Sequence, residues 1–164
     1  ALRRLLRGFE AKERIRRNWA RTEPWDFFMA VFGESDTVSH HFWMFHDPQS
    51  PRYPGPNPFS DAIRDVYARL DAAVGRIVDA TLAKGGQLII TADHGNSEQM
   101  IDPATGDAQR AHTTFDVPLI VVDDKLRGRR LREGGTLADI IPTALQMMGL
   151  EKPEAMTGES LLAP

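Results

Sequence analysis

The stretch of sequence that decides the fold is Gln87-Leu88-Ile89-Ile90-Thr91-Ala92-Asp93-His94-Gly95. Its first five residues form a short apolar run, which is typical of a buried β-strand. Asp93 and His94 follow directly, at the end of the strand where open α/β sheets place their ligands. Gly95 permits a sharp turn that lets these two adjacent side chains point at one site. The sequence therefore predicts a strand that delivers two polar side chains to a functional site.

The residues before this strand predict a long helix and a further strand. Residues 60–82 begin with the helix-capping pair Ser60-Asp61 and then carry apolar residues at helical spacing. Residues 26–32 form a nearly continuous apolar run, which is typical of a strand buried on both faces of a sheet. Because a strand, a helix and a strand form a crossover unit, we expect the two strands to be parallel.

The rest of the chain completes an α/β pattern in a single domain over residues 1–164. Helical spacing predicts a helix over residues 2–20, and the apolar run over 117–122 predicts a third strand. Thr136 caps a last helix that ends at Met148, before Gly149. The many arginines of the first helix are interpreted as a solvated face. We therefore expect an α/β fold with a mostly parallel sheet.

Composition excludes several classes of protein. A formal net charge of −3 argues against a nucleic-acid partner, and the absence of cysteine excludes a disulfide framework or a thiolate metal site. No apolar stretch approaches the roughly 20 residues of a membrane span, and no secretory signal begins the chain. We expect a cytoplasmic protein that associates with neither nucleic acid nor membrane.

Five prolines between residues 47 and 58 predict an ordered loop or a mobile lid. The aromatic residues Phe42, Trp43 and Phe45 precede this loop. Two roles are open for them: stacking on a base or ring of a ligand, or packing under the proline loop. Packing is the favoured interpretation.

Aspartate and histidine residues that could bind a metal occur at three places, each beside or shortly after a predicted strand. Asp36 and His40 are four residues apart, so one helical turn would place both on one face. Asp93 with His94, and His112, supply the other two places. A single Asp-His pair is more often a hydrogen-bonded surface or core pair, but three together predict a metal centre. Such mixed ligands suit Zn²⁺ or Mn²⁺, with Mg²⁺ an option, and two ions roughly 4 Å apart suit phosphoryl transfer.

Specific motifs lie at residues 91–100, 111–114, 117–118, 131–143 and 156–158. Through these motifs, residues 62–162 resemble the carboxyl end of cofactor-independent phosphoglycerate mutase. It implies an alkaline-phosphatase-like α/β/α sandwich and a small phosphorylated substrate, with interconversion of 2- and 3-phosphoglycerate. It also implies that Asp36, His40 and His112 bind one metal ion, and that Asp93 and His94 bind a second.

Residues 33–52 depart from the mutase pattern, of which only Asp36, Val38 and His40 match. This segment instead resembles type I phosphodiesterase and nucleotide pyrophosphatase proteins of the same superfamily. The alternative activity is therefore hydrolysis of a phosphate ester or diester.

The superfamily carries a nucleophilic Ser or Thr, and a further metal-binding Asp, on an amino-terminal strand and helix that this chain does not match. The second ion would then have only two protein ligands, so we expect an incomplete second site. Hydroxyl groups at Ser35, Thr37, Ser39 and Thr113 lie near the predicted cluster, but none is assigned as nucleophile. A missing amino-terminal segment or another chain would have to supply these groups. The remaining alternative is a catalytically inactive metal-binding domain.

Overall fold

The structure is a computed structural model that describes residues 2–109 and 111–163. Contacts within the chain divide it into two compact units. The first unit contains residues up to Thr81 together with His94–Asp116, and the second contains Leu82–Asp93 and the chain from Val117 onwards. The expectation of one domain over 1–164 stays a prediction. Within the described ranges, no helix combines the length and apolar character needed to cross a bilayer.

Three helices form the body of the first unit: α1 (Leu2–Thr22), α2 (Glu34–His46) and α3 (Ala62–Leu82). The predicted helix over 2–20 is confirmed, and so is the predicted helix that ends before Gly85. The core consists of apolar residues from α2 and α3, with partly buried side chains of α1 and α2 packed against it. These core residues are Val38, Phe42, Ala62, Ile63 and Val66, and the flanking ones are Leu2, Leu5, Leu6, Trp43 and Phe45.

Ion pairs connect α1 with the other two helices. Lys12 Nζ lies 2.9 Å from Glu34 Oε1 at the start of α2, and Arg69 of α3 lies 2.8 Å from Glu10. The Glu13 carboxylate, which is buried, lies 3.1 Å from Arg76. These pairs supplement the apolar core, which supplies most of the packing free energy in a helical unit of this kind.

The strand predicted over residues 26–32 is wrong. No residue of this segment pairs in a β-ladder with any other residue of ranges 2–109 and 111–163. Its side chains alternate: Phe28 and Phe32 pack against Trp25 and Phe9, whereas Phe27, Met29 and Val31 are exposed. An extended segment becomes a sheet strand only when neighbouring strands satisfy its backbone groups, and here one face alone is covered.

The second unit contains the two strands of the structure's described part, β1 (Leu88–Thr91) and β2 (Leu119–Val122). The sequence predicted both strands, and both are present. The prediction of a mostly parallel sheet is wrong for this pair. They pair antiparallel, with Leu88 opposite Val122 and Thr91 opposite Leu119. The described residues between them, 92–109 and 111–118, form no helix, and antiparallel pairing needs no crossover helix.

The second unit also contains a short helical segment whose cap was predicted. Thr136 precedes a 3-10 turn, Leu137–Asp139, that continues into α4 (Ile140–Met148), and Gly149 ends α4 in the left-handed conformation at φ 71°. The Asp139 carboxylate accepts hydrogen bonds from the backbone N–H groups of Thr136 and Glu159, both at 2.8 Å, and from Arg132 at 3.2 Å. The Thr136 N–H, followed by the Glu159 N–H and Arg132, holds the pKa of this carboxyl below its usual value, although burial opposes the shift.

Candidate metal centre

Helix α2 presents Asp36 and His40 on one face, as their spacing predicts. Asp36 lies in the first turn of the helix and His40 one turn later. Asp36 Oδ1 lies 3.1 Å from His40 Nε2. Because both side chains project from a helix that is anchored in the core by Val38 and Phe42, the backbone fixes the positions of their Cα atoms on one face.

A short β-bridge brings His112 to this helix. Gly95 and Thr113 form an isolated antiparallel bridge in which each N–H donates to the other's carbonyl oxygen, at 3.3 and 2.9 Å. The bridge aligns the neighbouring residues, so that the rings of His94 and His112 stack with centroids 3.6 Å apart and an interplanar angle of 9°. His112 is thereby held between a stacked ring and the α2 face.

Gly95 serves this bridge in a way that differs from the prediction. The sequence predicts a sharp turn, yet Gly95 is not among the glycines with positive φ. Its importance is close approach: a Cβ atom at this position would overlap the hydroxyl of Thr113 and crowd the Glu98 carboxylate. Glycine is therefore required by the neighbouring strand segment rather than by backbone conformation.

Three ligand atoms converge: Asp36 Oδ1, His40 Nε2 and His112 Nε2. The two histidine nitrogens are 3.1 Å apart, and His112 Nε2 is 3.3 Å from Asp36 Oδ1. An ion with bonds of about 2.1 Å holds neighbouring ligands about 3.0 Å apart in octahedral geometry and about 3.4 Å apart in tetrahedral geometry. The observed spacings fit a single divalent cation, and within residues 2–109 and 111–163 this is the one group of three or more such residues that does so.

The candidate ligands are open to solvent on one side. The side chains of His40, Asp36 and His112 are 23, 34 and 47% exposed, respectively. A structural zinc site is ordinarily closed by four protein ligands, whereas a catalytic site keeps a position for water or substrate. Three protein ligands with this exposure match the open kind of site.

Asn96 belongs to the cluster, and sequence reasoning missed it. Its amide Nδ2 donates to Asp36 Oδ1 at 2.7 Å, and its own backbone N–H donates to Glu98 Oε2 at 2.6 Å. The adjacent Ser97 hydroxyl donates to Ser39 on the same face of α2, at 3.0 Å. The signal available in the sequence was its position two residues after His94, on the same turn as a predicted ligand.

The remaining predicted site residues, Asp93 and His94, are not part of the group of three converging ligands. His94 lies beside the cluster, stacked on His112, but Asp93 falls in the second compact unit. The second ion set of Asp93 and His94 therefore stays a prediction. The hydroxyls of Thr37 and Ser39 donate to the carbonyl oxygens of Gly33 and Ser35, one helical turn earlier in the chain. The nucleophile stays unassigned.

The aromatic run packs in the way that the favoured interpretation predicts. The rings of Phe42 and Phe45 lie 5.9 and 5.4 Å from the ring of Phe59, which follows the last proline of the loop. Trp43 Nε1 donates to Asp47 at the start of the loop, at 3.2 Å. The loop over 47–58 contains no helix or strand, as its prolines predict.

Comparison with known proteins supports the metal-centre interpretation. The family model described as the metalloenzyme superfamily matches residues 61–152. That range contains Asp93, His94 and His112, and it begins after α2, which carries Asp36 and His40.

Curated relatives of this chain are 2,3-bisphosphoglycerate-independent phosphoglycerate mutases, which confirms the mutase resemblance. The protein of Rhodopirellula baltica is 65% identical over 94 residues, covering 57% of this chain and 17% of the relative. That of Clostridioides difficile is 40% identical over 141 residues, covering 86% of this chain and 24% of the relative. The chain thus spans about a fifth of the length of the relatives it matches.

A solved structure of Leishmania mexicana phosphoglycerate mutase, at low cobalt concentration, is similar in fold. The TM-score is 0.68 at 24% identity, and the alignment covers 94% of this chain and 28% of that one. This likeness confirms the predicted α/β fold class of the alkaline-phosphatase type. The resemblance of residues 33–52 to phosphodiesterases stays a prediction. With a family match over more than half of its length, the chain belongs to the metalloenzyme superfamily.

Proposed function

We propose that this chain supplies a divalent-metal site to an enzyme that interconverts 2- and 3-phosphoglycerate, and that Asp36, His40 and His112 hold one ion of that site. The observation that carries the proposal is the convergence of three ligand atoms at spacings of 3.1–3.3 Å. The relatives and the superfamily match support the same chemistry. The substrate is accordingly a small phosphorylated acid.

Each residue of the cluster has a distinct part in this proposal. Asp36 contributes the negative charge that offsets part of the charge of a divalent ion, and His40 and His112 contribute neutral nitrogen ligands. The stacked ring of His94 restrains the rotation of His112. When bound, the ion stabilises negative charge on the phosphate oxygens during transfer.

The identity and number of ions are part of the proposal. Aspartate and histidine accept Mn²⁺ and Zn²⁺, and Mg²⁺ with lower preference for the nitrogen ligands. Because the Leishmania mutase was solved in the presence of cobalt, Co²⁺ is a suitable probe for this chain. We propose one complete site, and a second, incomplete site at Asp93 and His94.

The remaining catalytic groups come from outside the residues assigned here. No nucleophile is assigned, so we propose that a further segment of a longer protein, or another chain, supplies it. The relatives are several times longer than this chain, which supports that proposal. We place the protein in the cytoplasm, with no nucleic-acid or membrane partner.

A phosphodiesterase or phosphatase activity is the second candidate. It rests on the phosphodiesterase resemblance of residues 33–52 alone, and the relatives favour the mutase: the Clostridioides difficile mutase aligns over 141 residues, 86% of this chain, a length that necessarily includes α2 and the proline loop. The cluster itself serves either chemistry, because both need a cation at the phosphate. The distinction rests on the substrate rather than on the metal.

The test measures metal content and turnover in the same preparation. Purified chain is loaded with Mn²⁺, Zn²⁺ or Co²⁺, desalted and assayed by elemental mass spectrometry beside the Asp36→Ala variant. About one retained ion, lost in the variant, is the expected result. Wild-type protein that retains no ion would refute the site.

Turnover is then assayed with phosphoglycerate and with nitrophenyl phosphate esters. Interconversion of the two phosphoglycerates supports the mutase proposal, whereas ester cleavage without interconversion supports the hydrolase. A bound ion with neither activity would identify a metal-binding domain that is inactive on its own. Adding the amino-terminal part of a relative then tests whether the missing groups restore turnover.

A further inference from the structure

Asn96 is a buried amide that contacts two of the three candidate ligands. Its Nδ2 lies 2.7 Å from Asp36 Oδ1 and 3.5 Å from His40 Nε2. The residue is only 9% exposed, whereas the ligand side chains are open to solvent. It therefore lies on the protein side of the cluster, behind the atoms that would face an ion.

The orientation of this amide follows from its partner. An ionised carboxylate only accepts hydrogen bonds, so the amide atom that faces Asp36 is the nitrogen and not the oxygen. The backbone of the residue is fixed as well, because its N–H donates to Glu98 at 2.6 Å. Asn96 thus delivers one directed donor to the carboxylate oxygen that also faces both histidine nitrogens.

A purely structural role for Asn96 is the competing explanation. The amide would then only attach the loop that carries it to α2. Ser97 already makes that attachment, through its hydroxyl contact with Ser39. Moreover, a structural amide is ordinarily satisfied at both ends, whereas Asn96 Oδ1 is buried without a hydrogen-bond partner in the described ranges.

We propose that Asn96 is a positioning residue that sets the affinity of the cluster for a divalent cation, an inference that rests on the metal site proposed above. Its hydrogen bond occupies one lone pair of Asp36 Oδ1 and holds the carboxylate in the rotamer that faces His40 and His112. Without this donor, Asp36 samples other rotamers, and binding has to order it. Partners outside the ligand shell typically change metal affinity by about 10- to 100-fold when removed.

The experiment compares two adjacent residues on one loop. The dissociation constant for Zn²⁺ is measured by competition with a chromophoric chelator in the wild-type chain, in Asn96→Ala and Asn96→Ser, and in the control Ser97→Ala. We expect both Asn96 variants to bind about 10-fold or more weakly, and Ser97→Ala to stay within about twofold of wild type. Thermal melts of the metal-free proteins show whether each variant is folded. If Asn96→Ala does not fold, the Zn²⁺ affinity of Asn96→Ser tests the proposal.

The Co²⁺ spectrum gives a readout that a structural role would not produce. Asn96→Ala keeps all three ligands, so at saturation its absorption bands are expected at the wild-type positions. Saturation of the variant should require a higher Co²⁺ concentration. Unchanged affinity in both Asn96 variants would overturn the inference, as would an equal loss in Ser97→Ala. Wild-type protein that binds no cation would instead remove the metal site itself, so the two failures are distinguishable.

Discussion

Two carboxylates, Asp36 and Asp139, lie at the beginning of helical segments but have opposite surroundings. Asp139 is buried at 6% exposure, and its two oxygens accept hydrogen bonds from Thr136, Arg132 and Glu159. The Asp36 side chain is 34% exposed, and its Oδ1 faces two imidazole nitrogens and one amide. One carboxylate is saturated with donors, and the other is surrounded mainly by atoms that can themselves act as ligands.

This difference separates a carboxylate that stabilises the fold from one that can bind a cation. Every donor around Asp139 comes from its own unit, so its charge is already compensated. A neutral imidazole, by contrast, offers a lone pair, and two lone pairs beside a carboxylate repel one another unless a proton or a cation lies between them. Substitutions in the two regions should therefore affect different properties.

Loss of a ligand should have the largest effect. We expect His112→Ala to weaken Zn²⁺ binding by at least about 100-fold, since a direct ligand should count for more than a partner outside the ligand shell. The unfolding free energy of the metal-free protein should change by less than about 1 kcal/mol, because the ring is half-exposed. Chelator competition and urea denaturation measure the two quantities. His41→Ala, an exposed histidine on the same helix, is the control; equal losses in both variants would contradict the site assignment.

A methyl group at Gly95 should disturb the site through its bridge. The added Cβ of Gly95→Ala overlaps Thr113, so we expect a loss of about 1–3 kcal/mol in unfolding free energy, together with weaker Zn²⁺ binding. The double variant Gly95→Ala/Thr113→Ala lacks the overlapping hydroxyl. It should therefore recover part of the lost unfolding free energy and part of the lost Zn²⁺ affinity. Gly8→Ala, where nothing lies within 4 Å of the new Cβ, should instead be stabilising by up to about 1 kcal/mol. Denaturation that shows no difference between the two glycines would refute the close-approach argument.

The parts of the site that the sequence predicts are those set by local geometry. The spacing of Asp36 and His40 determines that one helical turn brings them together, whatever the rest of the fold does. The cap at Thr136 and the end of α4 at Gly149 are likewise local, since they depend on residues within one turn. Asn96 was not predicted as a site residue because its role depends on a contact with Asp36 of α2, which is 60 residues away in the chain.

The parts that the sequence mispredicts depend on which segments meet. The apolar run over 26–32 has the composition of a buried strand, but composition does not specify a pairing partner. Phe28 and Phe32 pack against other aromatic rings, whereas Phe27, Met29 and Val31 are exposed. Only one face of the segment is therefore covered by the rest of the protein. The orientation of β1 and β2 was mispredicted for a similar reason. The path of the chain between two strands decides whether they pair parallel or antiparallel, and the composition of the strands does not specify that path.

The second unit offers the converse test, in which stability changes but metal binding does not. Thr143 is fully buried; its hydroxyl donates to the Asp139 carbonyl at 2.6 Å and accepts from the Leu161 N–H at 2.9 Å. Thr143→Val keeps the shape but leaves the Leu161 N–H without an acceptor, which should cost about 1–2 kcal/mol of unfolding free energy. Thr143→Ser, which keeps the hydroxyl, is the control. An effect of Thr143→Val on Zn²⁺ affinity beyond its effect on folding would contradict the separation of roles.

The smallest expected effect is on the pH dependence of stability. Because hydrogen bonds hold the pKa of Asp139 below its ordinary value of 3.8, its contribution to stability is complete above that pH and is lost as pH falls through the lower, folded value. Asp139→Asn keeps the shape without the charge, so it should be less stable than wild type at neutral pH, and the difference should narrow in acid. Urea denaturation of metal-free protein between about pH 2.5 and pH 6 measures this.

The matched control for this titration is Asp124→Asn, whose side chain is 82% exposed and faces Arg127 at 3.6 Å. An exposed ion pair of this kind contributes little to stability, so its pH profile should follow wild type. If Asp139→Asn and Asp124→Asn give the same profile, the donors around Asp139 do not favour its charged form over its neutral form. The comparison between a saturated and an open carboxylate would then lose its electrostatic basis, and only the ligand geometry at Asp36 would still distinguish the two.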